Sequence, residues 1–169
     1  MVTFHSMLAA NQNHLSAIGL VAVQWTFLER SIETLVWELA PLKQLNAQAV
    51  TTHISTLLLI DIANALAHER LNGTEFEQKL KTQLGHISNT LRPKRNSVVH
   101  GIWGPTASPD KIALLETTAR GVVKFKVGEE MTAEDILTIA AEIDQANFEL
   151  THLSFAISSH LGQVTTIHV

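Results

Sequence analysis

The 169-residue chain contains no cysteine and no tyrosine. Without thiols it has no disulfide framework, no thiolate metal site and no cysteine nucleophile. Positive charge is scarce as well: 12 lysines and arginines stand against 16 acids, for a net charge of −4. This excludes a strongly basic global footprint, so a nucleic-acid partner would have to be met by a local patch. Long hydrophobic runs are missing too. The longest near the N-terminus, 17–23, is far too short to span a bilayer. Residues 1–5 show no basic region followed by an apolar stretch, so no signal peptide is expected. The expectations are therefore no membrane partner and a cytoplasmic location.

What is present is a globular composition. Hydrophobic residues make up 46% of the chain. A chain of this length forms one domain, here taken as 1–169, and buries roughly 70% of its unfolded surface, so it needs no disulfide or metal staple.

Apolar residues recur at three- and four-residue steps over 8–39, from Leu15 and Ile18 to Leu35 and Leu39, which predicts a long helix ended by Pro41. Asn46 is placed to cap a second helix, 47–71, with Val50, Ile54, Leu57, Leu58, Ile62, Ala65 and Leu66 inward. Asn72-Gly73 stops it. Thr74 with Glu77 forms a capping-box pattern opening a third helix. Pro93 either kinks that helix near Arg92 or starts a new one, which continues over 94–103. Residues 111–127 read as a β-hairpin turning near Ala119-Arg120-Gly121. Thr132 and Asp135 cap a last helix, 132–161, and the tail 163–169 reads as an edge strand or a disordered end. The fold class is thus mainly α: an antiparallel bundle of four to five helices with a small β-hairpin inserted before the last long helix.

The run Arg95-Asn96-Ser97-Val98-Val99-His100 is the candidate chemical site. Asn96 and His100 are four apart and share a helix face. Arg95 is beside them, and Arg92 and Lys94 add positive charge within one turn. Trp103 lies one turn beyond Val99, and Gly101 and Gly104 remove bulk near the histidine. A histidine titrates near neutral pH and can move a proton at a 2′-hydroxyl or a leaving 5′-oxygen. An arginine presents paired donors that match phosphate oxygens. One histidine does not serve as base and acid in the same turnover, so this chemistry predicts two copies facing each other across a two-fold axis. No metal or other cofactor is required. The nine histidines form no His-x3-His or His-Glu-x2-His pattern.

On these residues the chain resembles the HEPN superfamily, helical domains whose hallmark is an arginine, four to six residues and a histidine, often with a polar residue directly after the arginine. The resemblance covers about 10–161, and only the motif is specific. It implies a metal-independent endoribonuclease that leaves a cyclic phosphate and a 5′-hydroxyl, with its site shared across a homodimer. Arg95 and His100 would be catalytic, Asn96 would support them, and Arg92, Lys94 and Trp103 would contact RNA. Roles in host defence or as toxins are common in such domains. The toxin subgroup places a tyrosine two residues after the histidine; this chain has Ile102 there. The alternative is a non-catalytic HEPN-like homodimer that binds a nucleotide or a protein partner, since fold does not give function. In the bland reading, His100 bonds a backbone carbonyl and Arg95 forms a surface ion pair. The three tryptophans are expected as core or interface anchors, and Glu29 and Glu33 as a solvated face with Arg30.

Overall fold

A computed structural model describes residues 9–40, 42–118 and 124–162. Helix α1 (Gln12–Leu39) carries the predicted stripe, burying Ala17, Val21, Trp25, Leu28, Ile32 and Leu35. Asn11 caps it: its Oδ1 accepts from the backbone N–H groups of Asn13 and His14 and lies 2.9 Å from His14 Nδ1. This satisfies donors that the first helical turn leaves unpaired.

The expected single helix 47–71 is two helices, α2 (Gln44–Thr51) and α3 (Thr56–Leu71). His53 between them adopts φ 74°, a left-handed conformation that no residue holds inside a right-handed helix. Ser55 then caps α3. The restart changes the helical phase. Leu59, Ile60, Ala63, Ala67 and Leu71 are buried, whereas Val50, Leu57 and Leu58, expected inward, are exposed.

Helix α4 (Glu75–His86) opens at Thr74, whose side chain accepts from Glu77 N–H. Glu77 closes onto Gly73 N–H and His68 Nδ1 rather than onto Thr74. Those contacts, His68 first and Gly73 second, hold its carboxyl below the usual range. A five-residue π-helical turn (Ile87–Leu91) joins α4 to α5 (Arg92–His100) with right-handed helical dihedrals throughout. Pro93 therefore neither breaks nor frees the helix. The wider turn absorbs its missing N–H, and the Arg92 side chain donates to the Ser88 carbonyl at 3.4 Å.

Helix α5 ends at His100, not at 103. Residues Ile102–Pro105 form strand β1, followed by β2 (Lys111–Thr118) and β3 (Lys124–Thr132). The expected hairpin is thus part of a three-stranded antiparallel sheet ordered β1-β2-β3. Gly101 makes the corner. A Cβ there would collide with the Ser97 carbonyl and with Leu114 Cδ1. The expected turn at 119–121 and the tail 163–169 lie outside the described residues.

Helix α6 (Ala133–His160) starts at the predicted cap. Thr132 Oγ1 accepts from Asp135 N–H, and Asp135 Oδ2 accepts from Thr132 N–H at 2.8 Å. Its longest contact is with α1, and the two run in the same direction: Ser31 bonds Asn147, and further along both helices Glu38 accepts from Ser154 and Ser158. Antiparallel packing describes α4–α5 against α6 instead, where Phe76 meets His160, Gln83 reaches the Ala146 carbonyl and Lys94 meets Glu142. Among the described residues no helix is long and apolar enough to cross a membrane.

Candidate functional site

The motif helix is anchored by Val98, which is buried, and half-buried Val99 packs against the core beside it. That anchoring turns Asn96 and His100 toward the surface, where His100 is exposed. Arg95 is half-buried and folds across this face. Its Nη1 donates to Asn96 Oδ1 at 3.0 Å and lies 2.7 Å from His100 Nε2. The three residues singled out by the sequence therefore form one contact set, with Arg95 at its centre.

A guanidinium only donates, so His100 Nε2 must accept in this contact and carry no proton. A neutral imidazole that accepts at Nε2 carries its proton on Nδ1. This is the protonation pattern of a general base, but the nitrogen that would act is covered by Arg95.

The other end of the arginine is unusual. Arg95 Nε is buried and has no hydrogen-bond partner among the described residues. Among the described residues no carboxylate lies within ion-pair distance of Arg95. Its guanidinium carbon lies 5.6 Å from the centre of the Trp25 ring. Trp25, 1% exposed, was read from sequence as a core or interface anchor. It is a core anchor and also the aromatic wall of this site. Nothing in the sequence links positions 25 and 95; only the packing of α1 against α5 does.

The flanking residues are placed less simply. Lys94 is paired with Glu142 at 2.6 Å, so its charge is largely neutralised. Arg92 donates to Ser88 within its own helical segment. Trp103 is half-buried against the core, and its Nε1 donates to the Val98 carbonyl at 3.1 Å. Of the expected RNA contacts, Arg92 has no ion-pair partner among the described residues, Lys94 has one, and Trp103 offers only part of its ring.

A cavity of about 540 Å³ lies away from His100. It opens beside α5 between the sheet and α6, lined by Lys94, Ser97, Glu129, Asp135, Thr138 and Glu142 among others. Three carboxylates against one ammonium make it a poor seat for a phosphate. The surface at Arg95 and His100 instead carries a guanidinium with no carboxylate in ion-pair distance among the described residues. Among the described residues no group of three or more histidines and acids is arranged to hold a metal ion.

No protein-family model matches the chain, and no curated protein or solved structure matches it, so the functional reading rests on the residues and their geometry.

Proposed function

We propose that this protein is a metal-independent endoribonuclease of the HEPN type. The observation that carries the reading is the 2.7 Å contact between Arg95 Nη1 and His100 Nε2, with Asn96 on the same guanidinium. A phosphodiester approaching this surface offers Arg95 anionic oxygens, which are stronger acceptors than a neutral imidazole. As the guanidinium turns to them, His100 Nε2 is uncovered. It takes the proton of a 2′-hydroxyl, the 2′-oxygen attacks the adjacent phosphorus, and the bond to the 5′-oxygen breaks. The products are a 2′,3′-cyclic phosphate and, after proton delivery, a 5′-hydroxyl. Arg95 stabilises the charge that develops on phosphorus-bound oxygens.

The leaving 5′-oxygen needs a proton donor, and in this reading a second copy's histidine, released from its own Arg95 and charged by a solvent proton, supplies it across a two-fold homodimer. An uncharged stretch of α1 supports such an assembly. Residues 1–28 contain no lysine, arginine, aspartate or glutamate, yet Leu15, Leu20, Val23 and Phe27 are exposed. Contiguous exposed apolar surface of this kind marks an interface more than a solvated face. The same reading takes α1, α3, α4–α5 and α6 as the four helices of a HEPN-type bundle.

The non-catalytic alternative, a dimer binding a nucleotide or a protein, takes the same contact as lasting, with Arg95 keeping the working nitrogen of His100 covered. The test is to incubate purified protein with mixed-sequence labelled RNA in excess EDTA beside His100→Ala and Arg95→Ala. Cleavage that both variants lose establishes the enzyme. No cleavage at high protein concentration, with nucleotide binding that Arg95→Ala loses, establishes the alternative. Cleavage surviving in both variants overturns the site.

A further inference from the structure

We infer that Trp25 is a positioning residue for Arg95, and that through Arg95 it sets which nitrogen of His100 carries the proton. The inference rests on reading Arg95 and His100 as the working pair, but its test does not depend on RNA cleavage.

The argument starts from the orphaned Arg95 Nε. A buried donor on a charged group without a partner is costly, so a structure that keeps one supplies another compensation. Here the compensation is the indole face of Trp25, 5.6 Å from the guanidinium carbon. The negative face of an aromatic ring attracts a cation, most strongly for tryptophan and when water is excluded. The Trp25 ring is itself packed within the core face of α1, at 1% exposure.

The guanidinium is therefore held at two points. Its carbon lies 5.6 Å from the centre of the indole, and Nη1 is shared by Asn96 Oδ1 and His100 Nε2. Without the inner hold, a long arginine side chain samples many rotamers, and holding it in one geometry costs side-chain entropy. Asn96 alone is a neutral acceptor on the same helix and does not fix the far end. Trp25 thus converts a flexible arginine into a directed donor. A directed donor at Nε2 places the imidazole proton on Nδ1, against the preference of a free histidine side chain for the Nε2–H form.

The experiment reads the imidazole nitrogens by two-dimensional ¹H–¹⁵N NMR on the full chain, well above the pH of histidine titration, with His100 assigned from the spectrum of His100→Gln. In the unaltered protein His100 Nε2 is expected at the unprotonated position. Trp25→Phe keeps an aromatic face and is expected to retain most of that signature. Trp25→Leu, which keeps apolar volume and removes the face, is expected to move Nε2 to the protonated position, as Arg95→Lys is. Backbone amide spectra check that each variant is folded. If Trp25→Leu does not fold, replacement of tryptophan by polyfluorinated tryptophan weakens the ring's negative face at nearly constant shape and is expected to shift His100 the same way. An unshifted His100 in folded Trp25→Leu, or in the fluorinated protein, overturns the inference. Shifted nitrogens in a protein that cleaves no RNA leave the positioning role standing and remove only the ribonuclease.

Discussion

Arg30 and Arg95 each lay a guanidinium near an indole ring, Arg30 4.6 Å from the centre of Trp37 and Arg95 5.6 Å from that of Trp25. Their electrostatic settings are opposite. The Arg30 side chain is half exposed and pairs with Glu33 at 2.8 Å, so its charge is matched locally. Arg95 has no carboxylate within reach among the described residues, and its one short contact to a titratable group is to a histidine. The same contrast separates neighbours in sequence, since Lys94 is neutralised by Glu142 while Arg95 is not. An arginine over an aromatic ring is therefore not itself a sign of function. The sign is a cation whose structural partners leave its charge unspent beside a group that can move protons.

The sharpest way to break this comparison is to delete each arginine. Arg95→Ala is expected to lower RNA cleavage by about 10²- to 10³-fold, the usual loss when a charge-stabilising donor is removed. Arg30→Ala is expected to leave cleavage within about twofold and stability within about 1 kcal/mol, as for an exposed pair. Equal losses in steady-state cleavage rates would mean that the difference in pairing is irrelevant.

The corner after the motif is the next test. Gly101→Ala puts a methyl group against the Ser97 carbonyl and Leu114. It is expected to cost about 1–3 kcal/mol in denaturant unfolding and to displace His100. Gly85→Ala, where a Cβ meets nothing within 4 Å, is expected to be neutral or slightly stabilising.

A smaller effect is expected at the cap of α6. Thr132→Ala should lower stability by about 1 kcal/mol without changing His100. The Asp135 carboxyl is held below its ordinary value, first by the Thr132 backbone N–H and second by its hydroxyl. A depressed folded value means that this contribution is present above the ordinary aspartate range and fades as pH falls through the folded value. Thermal unfolding of the native protein and Asp135→Asn should therefore converge as pH falls into and below the ordinary aspartate range. A gap that widens on acidification would contradict the assigned bonds.

The smallest expected effect separates Lys94 from its neighbours. Glu142→Gln releases the Lys94 charge and is expected to tighten RNA binding by about twofold to fivefold, since an exposed ion pair is worth under about 1 kcal/mol. Lys94→Ala should weaken binding less than Arg92→Ala does, measured by the salt dependence of RNA affinity.

Much of the fold was legible because it is written in short-range chemistry. The caps at Thr74 and Thr132 and the core stripes of α1 and α6 are set by residues within one or two turns of each other. The break at 52–55 was not legible. Thr52, His53 and Ile54 do not announce a helix end, and the apolar pattern on both sides is dense enough to be read straight through. Strand β1 was missed for a related reason. Trp103 stands at helical spacing from Val99, yet the chain leaves the helix at Gly101 because Leu114, from a later strand, occupies the space beside it.

The sequence by itself determined the helical character of the chain, its main helix ends and the membership of Arg95, Asn96 and His100 in one constellation, because helical spacing of a few residues places side chains on shared or adjacent faces. The tertiary structure alone decided what those residues do to one another. Packing of α1 across α5 sets Trp25 beside Arg95, and α6 brings Glu142 to Lys94. Partners 70 and 48 positions away in the chain assign one cation to the site and the other to an ion pair. No local pattern encodes that choice, because burial and charge pairing are properties of neighbours in space.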